Sequence, residues 1–151
     1  MRLRDSTWLV AGVLLAGAAC GEAGFERPDR GDQVSSADSL YLPALFDSIA
    51  WADDLTRARS GNEVYASRCR DCHGTLGEGN TAYARERGLD VPSLVAADWP
   101  LGDSLDAVRR RIFVGHEDGM PTWGVARISP RDVDAAAFYI VERLRPEMLG
   151  N

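Results

Sequence analysis

Cys69-Arg70-Asp71-Cys72-His73 is the stretch on which the reading of this chain turns. Two thiols separated by two residues can each add to one of the two vinyl groups of a porphyrin, and the histidine after them is placed to ligate the iron. The pentad therefore predicts one haem c, attached through Cys69 and Cys72 and ligated by His73. Two other uses of CxxC compete. The redox pair of thioredoxin-like proteins comes after a strand in a βαβ unit, whereas residues 62–68 (NEVYASR) read as helix. A structural zinc site needs four Cys or His ligands, and outside the pentad the chain offers only Cys20 and His116.

Iron held by one histidine has a sixth position, and its occupant decides between electron transfer and ligand chemistry. Of the three methionines, Met1 opens the chain and Met148 lies past the last expected helix, which leaves Met120 in Gly119-Met120-Pro121-Thr122-Trp123. Glycine before and proline after keep that segment out of a helix and let a thioether face a flat ring. His116, four residues earlier, is the rival ligand, or an exposed loop histidine beside Glu117 and Asp118. Methionine favours the ferrous state and raises the potential relative to a second histidine.

Toward the amino terminus, Arg2 and Arg4 precede an apolar run from Trp8 to Ala19, too short to span a bilayer, so residues 1–20 read as an export signal. Covalent haem attachment to bacterial cytochromes is completed after export, which agrees with the pentad. Leu14-Leu15-Ala16-Gly17-Ala18-Ala19-Cys20 is similar to a bacterial lipobox, with Gly17 where leucine is usual; cleavage after Ala16-Gly17-Ala18 is the alternative. Two of the three cysteines are used by the haem, and lipid on Cys20 gives the third a use. The expected location is periplasmic, tethered to a membrane.

Residues 21–42 are polar, rich in Gly, Asp and Ser, and without apolar period, so they read as a flexible tether with a span of about 25 Å. Leu45, Phe46, Ile49, Ala52 and Leu55 come after Pro43 at helical spacing and predict an additional amphipathic helix over 43–59. The main domain is placed at 60–146. Its expected elements are a first helix from Gly61 to about Cys69, a glycine-punctuated loop with a short helix between Gly74 and Gly88, and a helix over Ser104–Phe113. A last helix is opened by Ser129-Pro130-Arg131-Asp132 and runs to about Arg145. No strand pattern competes, and the fold class is all-α.

There is no lysine, and from Gly21 onward 22 carboxylates face 15 arginines. A net acidic chain of this kind argues against nucleic-acid binding. Arg109-Arg110-Arg111 reads as a solvated helix face, with pairing to a haem propionate or an acidic partner as the other use. Trp99 either packs or donates its indole N–H to a propionate.

With these motifs in place, about 85 residues resemble the class I cytochrome c family. Gly61-Asn62-Glu63-Val64-Tyr65 matches its first-helix pattern, Val91-Pro92-Ser93-Leu94 its Gly-Pro-x-Leu segment, and Tyr139-Ile140 its terminal aromatic-aliphatic pair. Val91 and Ala136 depart from the usual glycine and leucine. The resemblance implies a small cytochrome c fold wrapped around the haem, with Pro92 accepting a hydrogen bond from the proximal histidine. The stretch from Trp99 to Trp123 looks most like oxidase-associated and dehydrogenase-associated domains. The resemblance thus implies an electron carrier serving an oxidase, reductase or dehydrogenase, and not an enzyme. The alternatives are a haem sensor or gas binder with a displaceable Met120, and a peroxidase, which in this family has two haems.

Overall fold

A computed structural model describes residues 27–126 and 128–150. Among these the secondary structure is helical throughout: α1 (Arg30–Leu40), α2 (Asp54–Arg68), α3 (Arg70–His73), α4 (Ala82–Glu86), α5 (Leu105–Val114), α6 (Trp123–Ala126) and α7 (Pro130–Tyr139). α7 runs on through a π-helical turn, Ile140–Leu144, into α8 (Arg145–Leu149). The fold class is all-α, as expected. The export signal, Cys20 and the first part of the expected tether lie outside the described residues.

α2 crossing α7 is the centre of the fold. A Cβ at Gly61 would overlap the carbonyl oxygen of Ala135 and lie 2.6 Å from Cβ of Tyr139, so only glycine permits this approach. Ala135, Ala136 and Ala137 on α7 are fully buried, and their small side chains keep the crossing close. Tyr65 packs its ring 5.7 Å from that of Tyr139 and donates its hydroxyl to the Gly74 carbonyl at 2.7 Å. α5 lies against α7 through Val108, Ile112 and Phe113, all buried. The expected capping at Ser129 is present in full: its hydroxyl accepts from Asp132 N–H, and the Asp132 carboxylate accepts from Ser129 N–H. Such caps contribute about 1 kcal/mol each.

Two expectations over the amino-terminal third are corrected. The stretch assigned to the tether contains α1, capped by the Asp29 carboxylate accepting from Asp32 N–H at 2.8 Å. This helix has no apolar stripe of its own. It is held by burial of Ala37 and by an ion pair from Asp38 to Arg110 on α5, both of which depend on the tertiary fold. The additional helix over 43–59 is not formed as one element. Pro43–Leu45 make a single 3₁₀ turn, and Asp53 caps the start of α2 by accepting from Thr56 N–H at 2.6 Å. Phe46 turns into the core beside Tyr41, which meets Phe113 edge-on at 5.5 Å. The first helix of the main domain therefore begins at Asp54, ahead of Gly61.

The segment between these elements is fastened by one carboxylate. Asp134 on α7 is 1 % exposed. It accepts from Arg57 Nη2 at 2.6 Å and Nε at 2.9 Å, from Arg109 Nη2 at 2.6 Å and Nε at 2.9 Å, and from Trp51 Nε1 at 2.7 Å. Burial raises its pKa, and the hydrogen bonds from Arg57, Trp51 and Arg109 outweigh this, leaving the carboxyl below its ordinary value. Arg131 stacks on the Trp51 ring at 3.7 Å and donates to the Ala50 carbonyl.

Candidate haem site

The pentad sits at the junction of α2 and α3. Cys69 N–H closes α2 by donating to Tyr65 O at 2.9 Å, and His73 N–H donates to Cys69 O at 2.9 Å. The chain thus makes one short helical turn between the first thiol and the imidazole, which brings Cys69, Cys72 and His73 to one cavity. Burial pushes the Cys69 thiol up to about 12, with the Cys72 charge adding to it. Cys72 is less buried, and its thiol is raised by burial and by Asp71 against the opposing pull of Arg87.

Burial lowers His73 to about 4, so the imidazole is neutral at physiological pH, the form that ligates a metal. The Pro92 backbone pulls the other way through a hydrogen-bonding influence. Nδ1 of His73 is a buried polar atom without a hydrogen-bond partner among the described residues. The Pro92 segment is itself fixed where Leu94 N–H donates to Gly77 O at 2.8 Å, and Gly79 N–H donates to His73 O at 2.8 Å.

The loop after α5 lines the same cavity. Gly115 has φ of +79°, and a Cβ there would lie 2.6 Å from Met120 O, so a glycine is needed for the loop to fold back on itself. His116 N–H donates to Met120 O at 3.0 Å and closes it. Met120 is half-buried against the core. The His116 side chain is 45 % exposed and turned to its own loop, with Nδ1 3.1 Å from the Asp118 carboxylate and accepting from Asp118 N–H.

The cavity that these segments share has a volume of about 650 Å³, within the range that buries a cofactor-sized ligand. Cys69, Cys72, His73, Pro92 and Met120 all line it, and so does His116. Leu94, Leu101, Val108, Ile112 and Ile140 supply an apolar wall. The two thiols, the neutral imidazole with its orphaned nitrogen and the apolar wall fit a covalently bound haem.

The arginine run divides three ways. Arg109 pairs with Asp134 and Asp106, Arg110 pairs with Asp38, and Arg111 lines the cavity, donating to the Gly115 carbonyl at 3.4 Å. Trp99 is also part of the cavity lining. The expected solvated face holds for the exposed Arg110, whereas Arg109 turns to the buried Asp134 and Arg111 to the cavity. Asp134 is not recognisable in the sequence, because a lone aspartate on a helix carries no local sign of the arginines that will reach it.

The family described as cytochrome c oxidase, cbb3-type, subunit III matches residues 56–140. The chain is 30 % identical over 112 residues to the cbb3-type cytochrome c oxidase subunit FixP of Azorhizobium caulinodans, which covers 73 % of this chain and 36 % of that protein. It is 28 % identical over 117 residues to subunit CcoP of Rhodobacter capsulatus, covering 68 % of this chain and 37 % of the relative. The chain therefore spans a little over a third of the length of these curated relatives. No solved structure matches it. The match from α2 through α7, taken with a cysteine pair, histidine and apolar cavity suited to the cofactor, means that this chain belongs to the cbb3-type oxidase subunit III family of cytochrome c domains and carries a covalently bound c-type haem.

Proposed function

We propose that the chain is a single-haem electron carrier, with thioether bonds at Cys69 and Cys72 and with His73 and Met120 as axial ligands. The bound haem supplies a one-electron ferric/ferrous couple. The observation that carries the reading is one cavity lined by both thiols, by a buried neutral imidazole and by a half-buried thioether. Two permanent protein ligands keep the site closed to exogenous ligands, and the apolar wall excludes water and limits rearrangement when charge changes. Pro92 lies with its backbone beside His73, where it would accept from the imidazole N–H and fix the ring once haem is bound. His116 is disfavoured as the ligand by its exposure and by its contact with Asp118.

The carrier works on the periplasmic side of a membrane and exchanges electrons with an oxidase or a related redox complex, as the names of the relatives suggest. The amino-terminal segment provides export, and lipid on Cys20 provides the anchor. No described helix is long and apolar enough to cross a membrane. The chain transforms no substrate.

Met120→Ala tests the reading. It should abolish the methionine-to-ferric-iron charge-transfer band and lower the midpoint potential. An unchanged spectrum would transfer the ligand role to His116. Carbon monoxide binding by the untreated reduced protein at neutral pH would instead favour a gas-binding function. Mass spectrometry of the mature amino terminus reads the lipid on Cys20.

A further inference from the structure

Arg145 is a buried charge that the site described so far does not use. It is 4 % exposed, and among the described residues no carboxylate pairs with it. Its Nη1 donates to the carbonyls of Leu94 and Ala96, the latter at 3.0 Å. The guanidinium lies 5.4 Å from the Trp99 ring centroid. A Cβ at Gly102 would overlap Nη2 and Cζ, so glycine there leaves room for the guanidinium against the 94–102 loop. Leu94, Trp99 and Leu101 of that loop line the haem cavity, whereas Arg145 lies behind them.

The backbone takes an unusual course to put it there. Pro146 has no N–H and its ring crowds the preceding turn, a combination that usually ends a helix. Here the turn widens instead: Ile140–Leu144 is π-helical, and Arg145 N–H donates to Ile140 O, five residues back. π-turns inside helices are uncommon and concentrate at functional positions. A buried cation without a counterion is also costly, since desolvation is offset only by carbonyl dipoles and one aromatic face. Arginine is the cation that tolerates this, because it stays charged and its fork matches several acceptors.

We infer that Arg145 is a potential-setting positioning residue, whose fixed positive charge behind the cavity wall stabilises the reduced haem. One-electron reduction lowers the charge of the site by one unit and changes no bond in the chain. A neighbouring buried cation therefore disfavours the oxidised form more than the reduced one. The inference rests on the electron-carrier reading, and it extends that reading from the ligands to the residues behind the wall.

The test is the midpoint potential of the haem-loaded protein by spectroelectrochemistry, for wild type, Arg145→Gln and Arg145→Lys. Gln removes the charge and should move the ferric-to-ferrous ratio about tenfold toward ferric, which for one electron is about 59 mV downward. Lys keeps the charge and should restore most of the shift. The axial-ligand bands should be the same in all three. Equal potentials in the three proteins, or equal downward shifts in Gln and Lys, would overturn the inference. If Arg145→Gln does not accumulate as folded protein, Gly102→Ala takes its place: the added methyl displaces the guanidinium without altering the charge of the chain, and the potential should fall. A potential equal to wild type would overturn the proposal there too. Wild-type protein without a reversible one-electron couple would instead defeat the electron-carrier reading itself.

Discussion

The two sides of α7 and its continuation differ in how they are completed. On one, Asp134 gathers Arg57, Arg109 and Trp51 into a set in which the carboxylate's two oxygens accept five hydrogen bonds. On the other, Ile140 lines a cavity of about 650 Å³ that also takes in both thiols and the His73 imidazole. The first region is finished by the chain's own side chains and the second by its cofactor. Both sides of the helix crossing thus contribute to stability, one through the chain's own side chains and the other through the cofactor.

The strongest way to break this comparison is to withhold the cofactor. Without the cofactor, the apolar side chains that line this cavity lose the surface they would pack against. The paired change Cys69→Ser and Cys72→Ser should therefore abolish haem retention on a denaturing gel and leave a chain with little cooperative unfolding. A sharp thermal transition like that of wild type would mean that the cavity side is self-supporting.

Asp134→Ala attacks the other side. It leaves two guanidinium groups and an indole N–H without their acceptor, and breaking a buried pair of this kind costs about 3–5 kcal/mol. Thermal unfolding of the haem-loaded protein should shift to lower temperature accordingly while the visible spectrum stays as in wild type. The same residue predicts a pH dependence. Its folded pKa lies below the ordinary carboxyl value, so its contribution to stability is complete above the unfolded pKa of about 4 and is lost as pH falls through the lower, folded value. The stability gap between wild type and Asp134→Ala should be level from about pH 7 to about pH 5 and narrow in more acidic solution. A gap that widened on acidification would refute the assignment.

How far each region can be read in the sequence reflects the same difference. The haem side uses short, local signals: a pentad that fits one cofactor, glycines around Met120, and a serine-proline start to α7 with aspartate at its third position. The Asp134 side uses contacts more than 70 residues apart, Trp51 and Arg57 to Asp134, and no local pattern announces them. α1 is invisible locally because its sequence has no apolar period, and it is held by Ala37 and Asp38 against α5. The broken segment after Pro43 imitates a helix because Leu45, Phe46, Ile49 and Leu55 happen to be spaced like one. Asp53, the cap of α2, is the local sign that the helix begins later. The π-turn before Pro146 is not legible either, since proline ordinarily stops a helix.

Gly61→Ala sharpens the comparison at the crossing itself, with a smaller effect. The new methyl would overlap the Ala135 carbonyl and force α2 away from α7, at about 1–3 kcal/mol for an overpacked contact. Because α2 also carries Cys69 at its end, chemical denaturation should show the loss of stability together with a small change in the haem spectrum. A spectrum identical to wild type would mean that the pentad is uncoupled from the helix packing.

The smallest effect is expected at Arg110, and it separates burial from charge within one arginine run. Arg109 and Arg110 are adjacent, and both pair with aspartates from distant segments. The Arg109 side chain is 16 % exposed against an almost fully buried Asp134, whereas Arg110 and Asp38 are 54 % and 43 % exposed. Water and salt screen the second pair, and exposed pairs of this kind contribute about 0–1 kcal/mol. Arg110→Ala should then lower stability by less than about 1 kcal/mol, and that small loss should vanish in high salt. Arg109→Ala should cost several times more and remain in high salt. Similar losses for the two substitutions would mean that α1 is as integral to the fold as the Asp134 cluster, and that the polar segment before Leu40 belongs to the core structure of the domain.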